Sequence, residues 1–431
     1  MKYRLLALFS ILSFVWICIP AGLIAQDTAS ITGTVADSSG AAVSGAQVTL
    51  ASPEQGINRT VPSNGSGDFL FATLPIGSYN LTVSMPGFKT YKAKGLTLRV
   101  ADKARVDVKL QVGGAKEEVN VEGSSVAQVE TQSSELSGVV TGKEISQLEL
   151  NGRNFTQLAT LVPGVNNQSG LDEGAEGLNG NVAFSMNGGR TEYNNWELDG
   201  GDNMDNGSNT TLNIYPSIDA IGEFRVLTSN YGAQYGRNGS GTVEVETKSG
   251  TAHFHGDAYE FVRNDIFNAR NYFQSTVPPY KKNDFGYTIG GPVYIPNLYN
   301  TGKEKTFFFW SQEWRRDRVP GQVFNALVPS ATERTGDFSD LCPGSDCPVQ
   351  PAFINGVSNP NAGLPFSGNM VPVSPVGQAL LALIPAPNGG VPGAALYNAS
   401  PNQPTNWREE LLRVDHNFGP RLRAMFHYAH D

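Results

Sequence analysis

The sequence predicts a mainly β protein with three folding units in series. Residues 28–112 alternate apolar and polar side chains between short turns, which is typical of the half-buried strands of a sandwich. Residues 139–250 mix helical and strand patterns, which indicates a small α+β domain. Residues 251–431 hold longer, aromatic-rich alternating stretches, which indicate antiparallel strands able to cross a bilayer. At 431 residues the chain exceeds one ordinary domain.

Residues 1–25 predict a secretory signal peptide. Lys2 and Arg4 precede an apolar run from Leu5 to Ile19, and Ala25 supplies a small residue for cleavage. The run has about 15 residues, fewer than the ~20 that a membrane-spanning helix needs. We therefore expect export with cleavage near Ala25.

Charge and cysteine content narrow the choice of partners. The net charge of -9 offers no broad basic surface for nucleic acid. After cleavage two cysteines remain, Cys342 and Cys347 in LCPGSDCP, and in an oxidising compartment they can form a disulfide that closes this loop. Two cysteines without clustered histidines make a poor zinc site, so no metal or other cofactor is expected.

Turns such as SSG, SPEQG, SNGSGD and LPIGS separate the strands of residues 28–112. The stretches ITGTVADSSGAAVSGAQVTL and NGSGDFLFATLPIGSYNLTV, followed by PGF, resemble the carboxypeptidase regulatory-like domain. The resemblance implies an immunoglobulin-like β-sandwich. The alternating positions are Ile31, Gly33, Val35, Val48, Leu50, Phe69, Phe71, Tyr79, Leu81, Val83, Leu96, Leu98, Val100, Val106, Val108 and Leu110.

Residues 113–138 form a polar linker with one short alternating piece, EEVNV, at residues 117–121. Two helical patterns follow, from Lys143 to Leu150 and from Asn154 to Val162, and Asn154 with Gln157 resembles a capping box. Strand patterns then alternate with glycine-rich loops up to residue 250.

The segment SMNGGRTEYNNWELDGGDNMDNG is rich in Asp, Asn and Gly, as calcium-binding loops are. The spacing of its acidic residues does not fit a calcium-binding loop. Counting from Asp202 places Met204 at a ligand position, and counting from Asn203 places Ile214 where the closing Glu belongs. We therefore expect a structural role for this stretch.

Three stretches after residue 250 have the length of tilted transmembrane strands, namely HFHGDAYEFVRND, NDFGYTIGGPVYIP and TFFFWSQEWRRDRVP. Phe307, Phe308, Phe309, Trp310 and Trp314 are expected to form an interfacial aromatic belt. Residues 319–405 predict a long proline-rich loop, and the chain closes with a hairpin that turns at Gly419-Pro420.

The order of these parts resembles the TonB-dependent receptors of the Oar-like type. The resemblance rests on LNGRNFTQLATLVPGV, FSMNGGRTEYNNWELDG, IDAIGEFRVLTSNYGAQYGRNGSGTVEVETKSGT and FHGDAYEFVRNDIFNARNYF. It implies a plug domain at residues 139–250, called the plug below, and a partial outer-membrane β-barrel at residues 251–431. It also implies residence in the outer membrane and its lipid, with sandwich and plug facing the periplasm. The implied partners are an inner-membrane TonB-type energy-transducing protein and an external ligand, which is an oligosaccharide, a peptide or a metal chelate.

The resemblance also implies site residues. In the plug a strand enters a tight turn at NGGR and returns through Trp196, with Arg190 in the interior and Asp199 or Glu197 as its partner. Glu117, Glu118, Val119, Asn120 and Val121 are the candidate TonB box, and a plain linker is the alternative. The motif residues of the plug are Asn187, Gly188, Gly189, Arg190, Glu197, Asp199 and Gly200.

A plugged barrel has about 22 strands, and residues 251–431 have room for about five. We therefore expect an incomplete barrel that this chain cannot close alone, as in the N-terminal part of a longer receptor or a truncated product. Some relatives of the regulatory-like domain have a carbohydrate-binding-like fold, so the rival interpretation is a secreted or surface β-rich adhesion or carbohydrate-binding protein. An enzyme is not expected, because the sequence has no GxSxG, HExxH or Walker motif.

Overall fold

Strands dominate the computed structural model, which confirms the prediction of a mainly β protein. By its internal contacts the chain divides into two compact units, one made of residues 1–260, 285–314 and 407–431 and the other of residues 261–284 and 315–406. No helix in the described part of the chain is both long and apolar enough to cross a membrane. The described residues are 29–114, 117–122, 132–168, 182–270, 277, 279–320, 324–341, 348–354, 357–391, 393–399, 402–420 and 422–431.

The N-terminal strands build the predicted sandwich from two sheets. These strands are β1 (Ala29–Asp37), β2 (Gln47–Ser52), β3 (Ile57–Pro62), β4 (Asp68–Leu74), β5 (Gly77–Ser84), β6 (Thr90–Leu98), β7 (Lys103–Arg105), β8 (Val108–Leu110) and β9 (Glu118–Glu122). One sheet has the order β4-β1-β7, with β8 also paired to β1, and the other has the order β3-β2-β5-β6-β9. The inward residues of both sheets meet in one apolar core that includes Phe71, Tyr79 and Leu81. The sandwich expected from the alternation is confirmed.

The predicted plug contains a mixed sheet with short helical segments at its side. Its elements are β10 (Leu136–Thr141), α1 (Gly142–Gln147), β11 (Val165–Asn167), β12 (Phe184–Met186), β13 (Asn194–Leu198), β14 (Gly201–Asp202), β15 (Ile221–Ser229) and β16 (Gly241–Thr247). The main sheet has the order β10-β15-β16-β13-β14, with β13 parallel to β16. Phe155, Phe184 and Phe224 pack around the fully buried Trp196 in a separate core.

The capping box lies at a different place from the one predicted. Thr141 caps α1 by accepting from the Glu144 N–H, and the Glu144 carboxylate accepts from the Thr141 N–H. Asn154 instead caps a 3-10 helix, Phe155–Leu161, through the Thr156 N–H, because its side chain reaches only two residues onward. Short polar caps of this kind satisfy backbone donors that the helix leaves open.

The C-terminal region contains a five-stranded antiparallel sheet, called the wall sheet below. Its strands are β17 (His255–Asn264), β18 (Lys281–Pro292), β19 (Thr306–Pro320), β25 (Asn402–Gly419) and β26 (Leu422–His430), in the order β17-β18-β19-β25-β26. Five strands agree with the number expected from chain length, and β17 and β26 are the two edges of the sheet. Between β19 and β25 lie β20 (Phe324–Leu327), β21 (Phe353–Ile354), β22 (Val357–Ser358), α2 (Pro375–Leu383), β23 (Gly389–Val391) and β24 (Ala394–Ala399).

Strand β26 of the wall sheet presents different chemistry on its two faces. Along β26 the exposed phase carries Leu422, Phe426 and Tyr428, and the half-buried phase carries Arg423 and His427. Apolar side chains outside and polar ones inside are typical of a transmembrane β-barrel. The expected aromatic belt is wrong in part, because period two turns Phe307 and Phe309 inward, where both are fully buried.

Candidate functional site

The Asn-Gly-Gly segment forms a tight turn after β12. Asn187 and Gly188 have φ values of 50° and 79°, and the Gly189 N–H donates to Met186 O at 3.0 Å, which is the geometry of a type I′ turn. The Asn187 side chain donates to Thr228 O at 2.8 Å. A side chain at Gly189 would collide with the Ser240 hydroxyl. This turn is therefore fixed on strand β15 and on the loop before β16.

A second turn of the same kind joins β13 to β14. Asp199 and Gly200 have φ values of 49° and 77°, and Leu198 pairs with Gly201 across the turn. Asp-Gly is a preferred pair for such two-residue turns because both positions need positive φ. Asp199 is buried, so the turn delivers a carboxylate to the interior.

Within the plug, Asp199 is bonded to strand β16. Its N–H donates to Val245 O at 2.8 Å. Its Oδ1 accepts from the Thr247 N–H at 2.8 Å, and its Oδ2 accepts from the Thr247 hydroxyl at 2.7 Å. Both oxygens of the buried carboxylate are therefore engaged before any cation is considered.

Arg413 of β25 brings a guanidinium to the same carboxylate. Its Nη1 lies 3.1 Å from Asp199 Oδ1 and 2.7 Å from Glu246 Oε1, and it donates to Thr247 O at 2.9 Å. Its Nε lies 3.0 Å from Asp415 Oδ2. The Arg413 side chain is 3% exposed and that of Asp199 is 1% exposed. One buried side chain of the wall sheet thus binds two acidic residues of the plug.

Strand β26 completes this cluster from the neighbouring position in the wall sheet. Arg423 Nη2 lies 2.8 Å from Asp415 Oδ1, and His427 Nδ1 lies 3.0 Å from Asp199 Oδ2. The contact between Arg423 and Asp415 is a charged hydrogen bond, and such bonds are among the stronger polar contacts in proteins. We name the cluster the wall network, and it consists of Asp199, Glu246, Arg413, Asp415, Arg423 and His427.

Burial and neighbouring charges act differently on the two plug carboxyls of the wall network. Burial alone would raise the pKa of Asp199, but Arg413 and His427, with the Thr247 N–H, hold it below its usual value. Burial raises the pKa of Glu246 to about 8, with Arg413 opposing and Asp199 adding to the rise. Near pH 7 Glu246 is therefore largely protonated, and Asp199 is the charged plug partner of Arg413.

A second polar contact between plug and wall sheet centres on Ser217. Its N–H donates to Glu409 Oε2 at 2.7 Å, and its hydroxyl donates to Glu313 Oε2 at 2.7 Å. The Tyr259 hydroxyl donates to the same Glu313 oxygen at 2.8 Å. Tyr259, Glu313 and Glu409 come from β17, β19 and β25, so three wall strands converge on one plug residue.

The plug also contacts the sandwich through two acidic groups. The Glu223 carboxylate accepts a hydrogen bond from the Val100 N–H, and Arg225 forms an ion pair with Asp102. Burial raises the pKa of Glu223 to about 7, and the Asp102 charge adds to the rise against the Val100 hydrogen bond.

The predicted role of Arg190 is wrong. Arg190 is exposed, and its guanidinium lies 5.9 Å from the centre of the Tyr193 ring. Asn187 and Gly188 of the tight turn are exposed as well, so the chain lies at the surface where it reaches Arg190. Glu197 accepts from the Asn195 side chain at 2.7 Å, and Asp199 takes Arg413 as its cation.

Sequence reasoning missed Arg413 because it lies 214 residues from Asp199. A local signal existed. In the sequence RVDH, Arg413 and Asp415 are two residues apart and so lie on the same face of a strand. The lipid-facing side of a barrel strand is apolar, so this charged face is the inner one. Two charges on the inner phase of a wall strand indicate a polar partner inside.

The Asp and Asn bias of the loop after β14 serves local backbone bonding. The Asp205 carboxylate accepts from the N–H groups of Gly207, Ser208, Thr210 and Thr211 at 2.6–3.0 Å. The hydrogen bonds from Thr211 and Thr210, with those from Ser208, hold the pKa of Asp205 far below its usual value. Within the described residues no group of three His, Cys, Asp or Glu is placed to hold a metal ion.

The candidate TonB box occupies a regular strand. Residues 118–122 form β9, which runs parallel to β6 with Thr90 opposite Glu118 and Lys94 opposite Glu122. Lys92 Nζ lies 2.5 Å from Glu118 Oε1, and Lys89 Nζ lies 2.8 Å from Glu117 Oε2. The predicted edge strand is present, and its role as a TonB box stays a prediction. Cys342, Cys347 and the predicted signal peptide lie outside the described residues.

Comparison with known proteins adds family evidence to this geometry. Residues 30–111 match the family model of the carboxypeptidase regulatory-like domain, and residues 246–431 match that of an outer membrane beta barrel domain. The TonB-dependent transporter Oar of Myxococcus xanthus is 26% identical over 300 residues. The chain is related to the Oar-like TonB-dependent receptors. The barrel domain of this Oar-like chain also places it in the outer membrane.

The match to Oar covers 65% of this Oar-like chain and 26% of the relative, so the chain spans about a quarter of that protein's length. The outer membrane transporter YddB from Escherichia coli is 11% identical with a TM-score of 0.41, covering 68% of this chain and 32% of that one. The siderophore receptor PirA from Acinetobacter baumannii is 13% identical with a TM-score of 0.37, covering 68% and 31%. These relatives are named as transporters and receptors.

Proposed function

We propose that this chain works in energy-coupled uptake across the outer membrane, with residues 139–250 acting as a plug that is displaced when a ligand is admitted. The ligand is an external oligosaccharide, peptide or metal chelate. A secreted adhesion protein, the rival interpretation, gives no reason for an outer-membrane barrel domain at residues 246–431.

The wall network is the observation that supports this proposal best. A plug that stays in place permanently would be held most simply by extensive apolar packing. This one has a small apolar contact of Ala220 with Phe309 and Leu411, and Arg413 forms an ion pair with Asp199 and a hydrogen bond to Glu246. Water can replace such contacts when the plug moves, since charged groups that leave a dry contact become hydrated. The Ser217 contacts with Glu313 and Glu409 have the same character.

The proposed source of force is a periplasmic TonB-type protein that binds the strand at residues 117–121. In the sequence this strand follows the sandwich strand β8 and precedes the plug strand β10, so a pull on it is transmitted along the chain to β10. Backbone pairing of this kind needs an extended segment and little side-chain specificity.

Uptake by intact cells tests the proposal. Cells with the chromosomal gene, cells lacking it and cells lacking the TonB-type protein receive labelled oligosaccharide, peptide or ferric chelate. We expect uptake of one label to fall to background in both deletion strains. Uptake of every label at the wild-type rate in both strains would overturn the proposal.

Replacement of residues 117–121 by a Gly-Ser sequence of equal length tests the site itself. We expect in-cell crosslinking to the TonB-type protein to be lost, while the same replacement at residues 126–130 preserves it. Equal crosslinking in the two variants would assign the segment to a plain linker.

A further inference from the structure

A cavity of about 280 Å³ lies where the sandwich contacts the turns of the wall sheet. Its walls include residues 56–59 of the sandwich, residues 304–305 before β19 and residues 417–420 between β25 and β26. The Asn417 side chain donates to Gln55 O and to Glu304 O, both at 2.9 Å, and so joins the sandwich to the wall sheet. We name this space the turn cavity, and the uptake proposed above does not use it.

The described residues that line the turn cavity carry a net positive charge. Arg59, Lys305 and Arg423 are basic, and Glu304 is the single acidic residue among them. This excess contrasts with the whole chain, whose net charge is -9. Cations gathered around one cavity in an acidic chain indicate an anionic occupant.

Two of these cations lack an acidic partner in the described part of the chain. Arg59 donates to main-chain carbonyls, Ala72 O at 2.8 Å and Thr73 O at 3.5 Å. Lys305 is exposed, and no described carboxylate forms an ion pair with its ammonium group. Arg423 differs, because it is paired with a carboxylate of the wall network. Arg59 and Lys305 therefore keep their charges available for a bound anion.

The turn cavity lies at the periplasmic ends of the wall strands. The barrel domain places the chain in the outer membrane with the sandwich in the periplasm, so the turns that contact the sandwich lie at the periplasmic leaflet. Phe418 and Leu422 line the cavity and are 64% and 60% exposed. The neighbouring turn before β19 also exposes Tyr294, Ile295 and Leu298. Exposed aromatic and apolar side chains at strand ends are typical of contact with lipid.

We propose that the turn cavity binds the phosphate headgroup of an anionic phospholipid from the periplasmic leaflet of the outer membrane. Guanidinium and ammonium groups hold phosphate oxygens through charged hydrogen bonds, and Arg59 and Lys305 supply one of each. A cavity of about 280 Å³ is at the lower end of the size range of ligand pockets, so it takes a headgroup and leaves the acyl chains in the membrane beside Phe418 and Leu422. The bound headgroup joins Arg59 of the sandwich to Lys305 of the turn before β19, so the lipid fastens the sandwich to the membrane surface.

Binding of radiolabelled phosphatidylglycerol to the full chain in dodecyl maltoside micelles tests this inference, and the measured quantity is its Kd. Lys305→Gln removes a lining charge from an exposed side chain, so the variant keeps its fold. Lys305→Arg keeps the charge. Lys303→Gln is the matched control, because Lys303 lies in the same turn but outside the cavity wall, with its ammonium group 5.3 Å from the centre of the Tyr294 ring.

We expect Lys305→Gln to weaken binding about fivefold, because a basic residue beside anionic lipid contributes about that factor. Lys305→Arg and Lys303→Gln should stay within about twofold of the unaltered chain, since the first keeps the charge and the second removes a charge that is screened from the cavity by solvent. Equal weakening by Lys305→Gln and Lys303→Gln would show a general attraction to basic residues and would overturn the inference. Failure of the unaltered chain to bind phosphatidylglycerol would overturn it as well.

Soluble phosphates and a zwitterionic lipid identify the source of the headgroup. Glycerol phosphate and inorganic phosphate carry the anion without acyl chains, and we expect neither to displace phosphatidylglycerol at a large molar excess. Displacement to background by either anion would assign the cavity to a free phosphate. We expect phosphatidylcholine to bind more weakly than phosphatidylglycerol, and equal Kd values would show that the cations do not select the headgroup. Either contrary result overturns the inference.

Discussion

The sandwich and the contact between plug and wall sheet are stabilised in opposite ways. The sandwich core is apolar, with Phe71, Tyr79 and Leu81 sealed from water between two sheets. The plug meets the wall sheet through ion pairs and hydrogen bonds centred on Arg413 and Ser217, beside one small apolar cluster of Ala220, Phe309 and Leu411. Packed apolar groups resist separation because separation exposes apolar surface to water. Polar groups regain hydration when they separate, which offsets part of the lost contact energy. The difference agrees with the proposed function, in which the sandwich keeps its fold and the plug leaves its contacts with the wall sheet.

Loss of Arg413 should have the largest effect on this comparison. Arg413→Ala leaves Asp199, Glu246 and Asp415 without their shared cation, and breaking one side of a buried ion pair destabilises by about 3–5 kcal/mol. Urea unfolding of the chain in detergent, followed by tryptophan fluorescence, measures the change. Arg190→Ala is the matched control, because Arg190 is exposed, and should stay within about 0.5 kcal/mol. Identical midpoints for the two variants would contradict the central role of Arg413.

A cavity in the sandwich core should have the next largest effect. Leu81→Ala removes a fully buried side chain, and such truncations lower the free energy of unfolding by about 2–5 kcal/mol. Residues 29–122 expressed alone and unfolded in urea provide the measurement, since they contain the whole core. Leu70→Ala is the control, because Leu70 is 58% exposed on the adjacent phase of β4. A loss of equal size at both positions would show that the core is not where the alternation places it.

The contact between plug and sandwich should give the smallest effect, and it depends on pH. The pKa of Glu223 is about 7 in the folded protein against 4.5 for an ordinary Glu, so the folded state binds this proton more tightly. The stability that it contributes is complete below pH 4.5 and is lost as the pH rises through 7, on the order of 1–3 kcal/mol in total.

Glu223→Gln keeps a neutral group at this position and removes that proton. The difference in unfolding midpoint between the unaltered chain and this variant should change steadily from pH 4.5 to 7 and then level off. Because Glu246 titrates in both chains, it cancels in the difference. A difference that stays constant over this range would show that the carboxyl is not perturbed.

The comparison also separates what the sequence predicts from what it does not. The alternation of Phe71 and Leu81 predicts the sandwich because burial on a strand repeats every second residue. The same rule finds the short strand at residues 117–121, and chain length predicts the number of wall strands. It fails for Arg190, because a type I′ turn two residues earlier redirects the chain, and for Asp199, because its cation comes from a strand 214 residues away. Local sequence patterns predict helices and strands. Ion pairs between residues far apart in the sequence, such as Asp199 and Arg413, depend on how these helices and strands are assembled.

The distance between Asp199 and Arg413 has a consequence for how the protein is made. The plug carboxyls leave the ribosome long before β25, so until β25 docks Asp199 has Thr247 and water as partners and lacks the guanidinium of Arg413. When β25 docks on the plug, Asp199 and Glu246 lose their contact with water and gain the guanidinium of Arg413 in the same step. Contacts between residues so far apart in sequence form slowly, because a long loop must close first. We expect the docking of β25 to be a late and cooperative step of assembly, in which the plug serves as the template for the strand that encloses it.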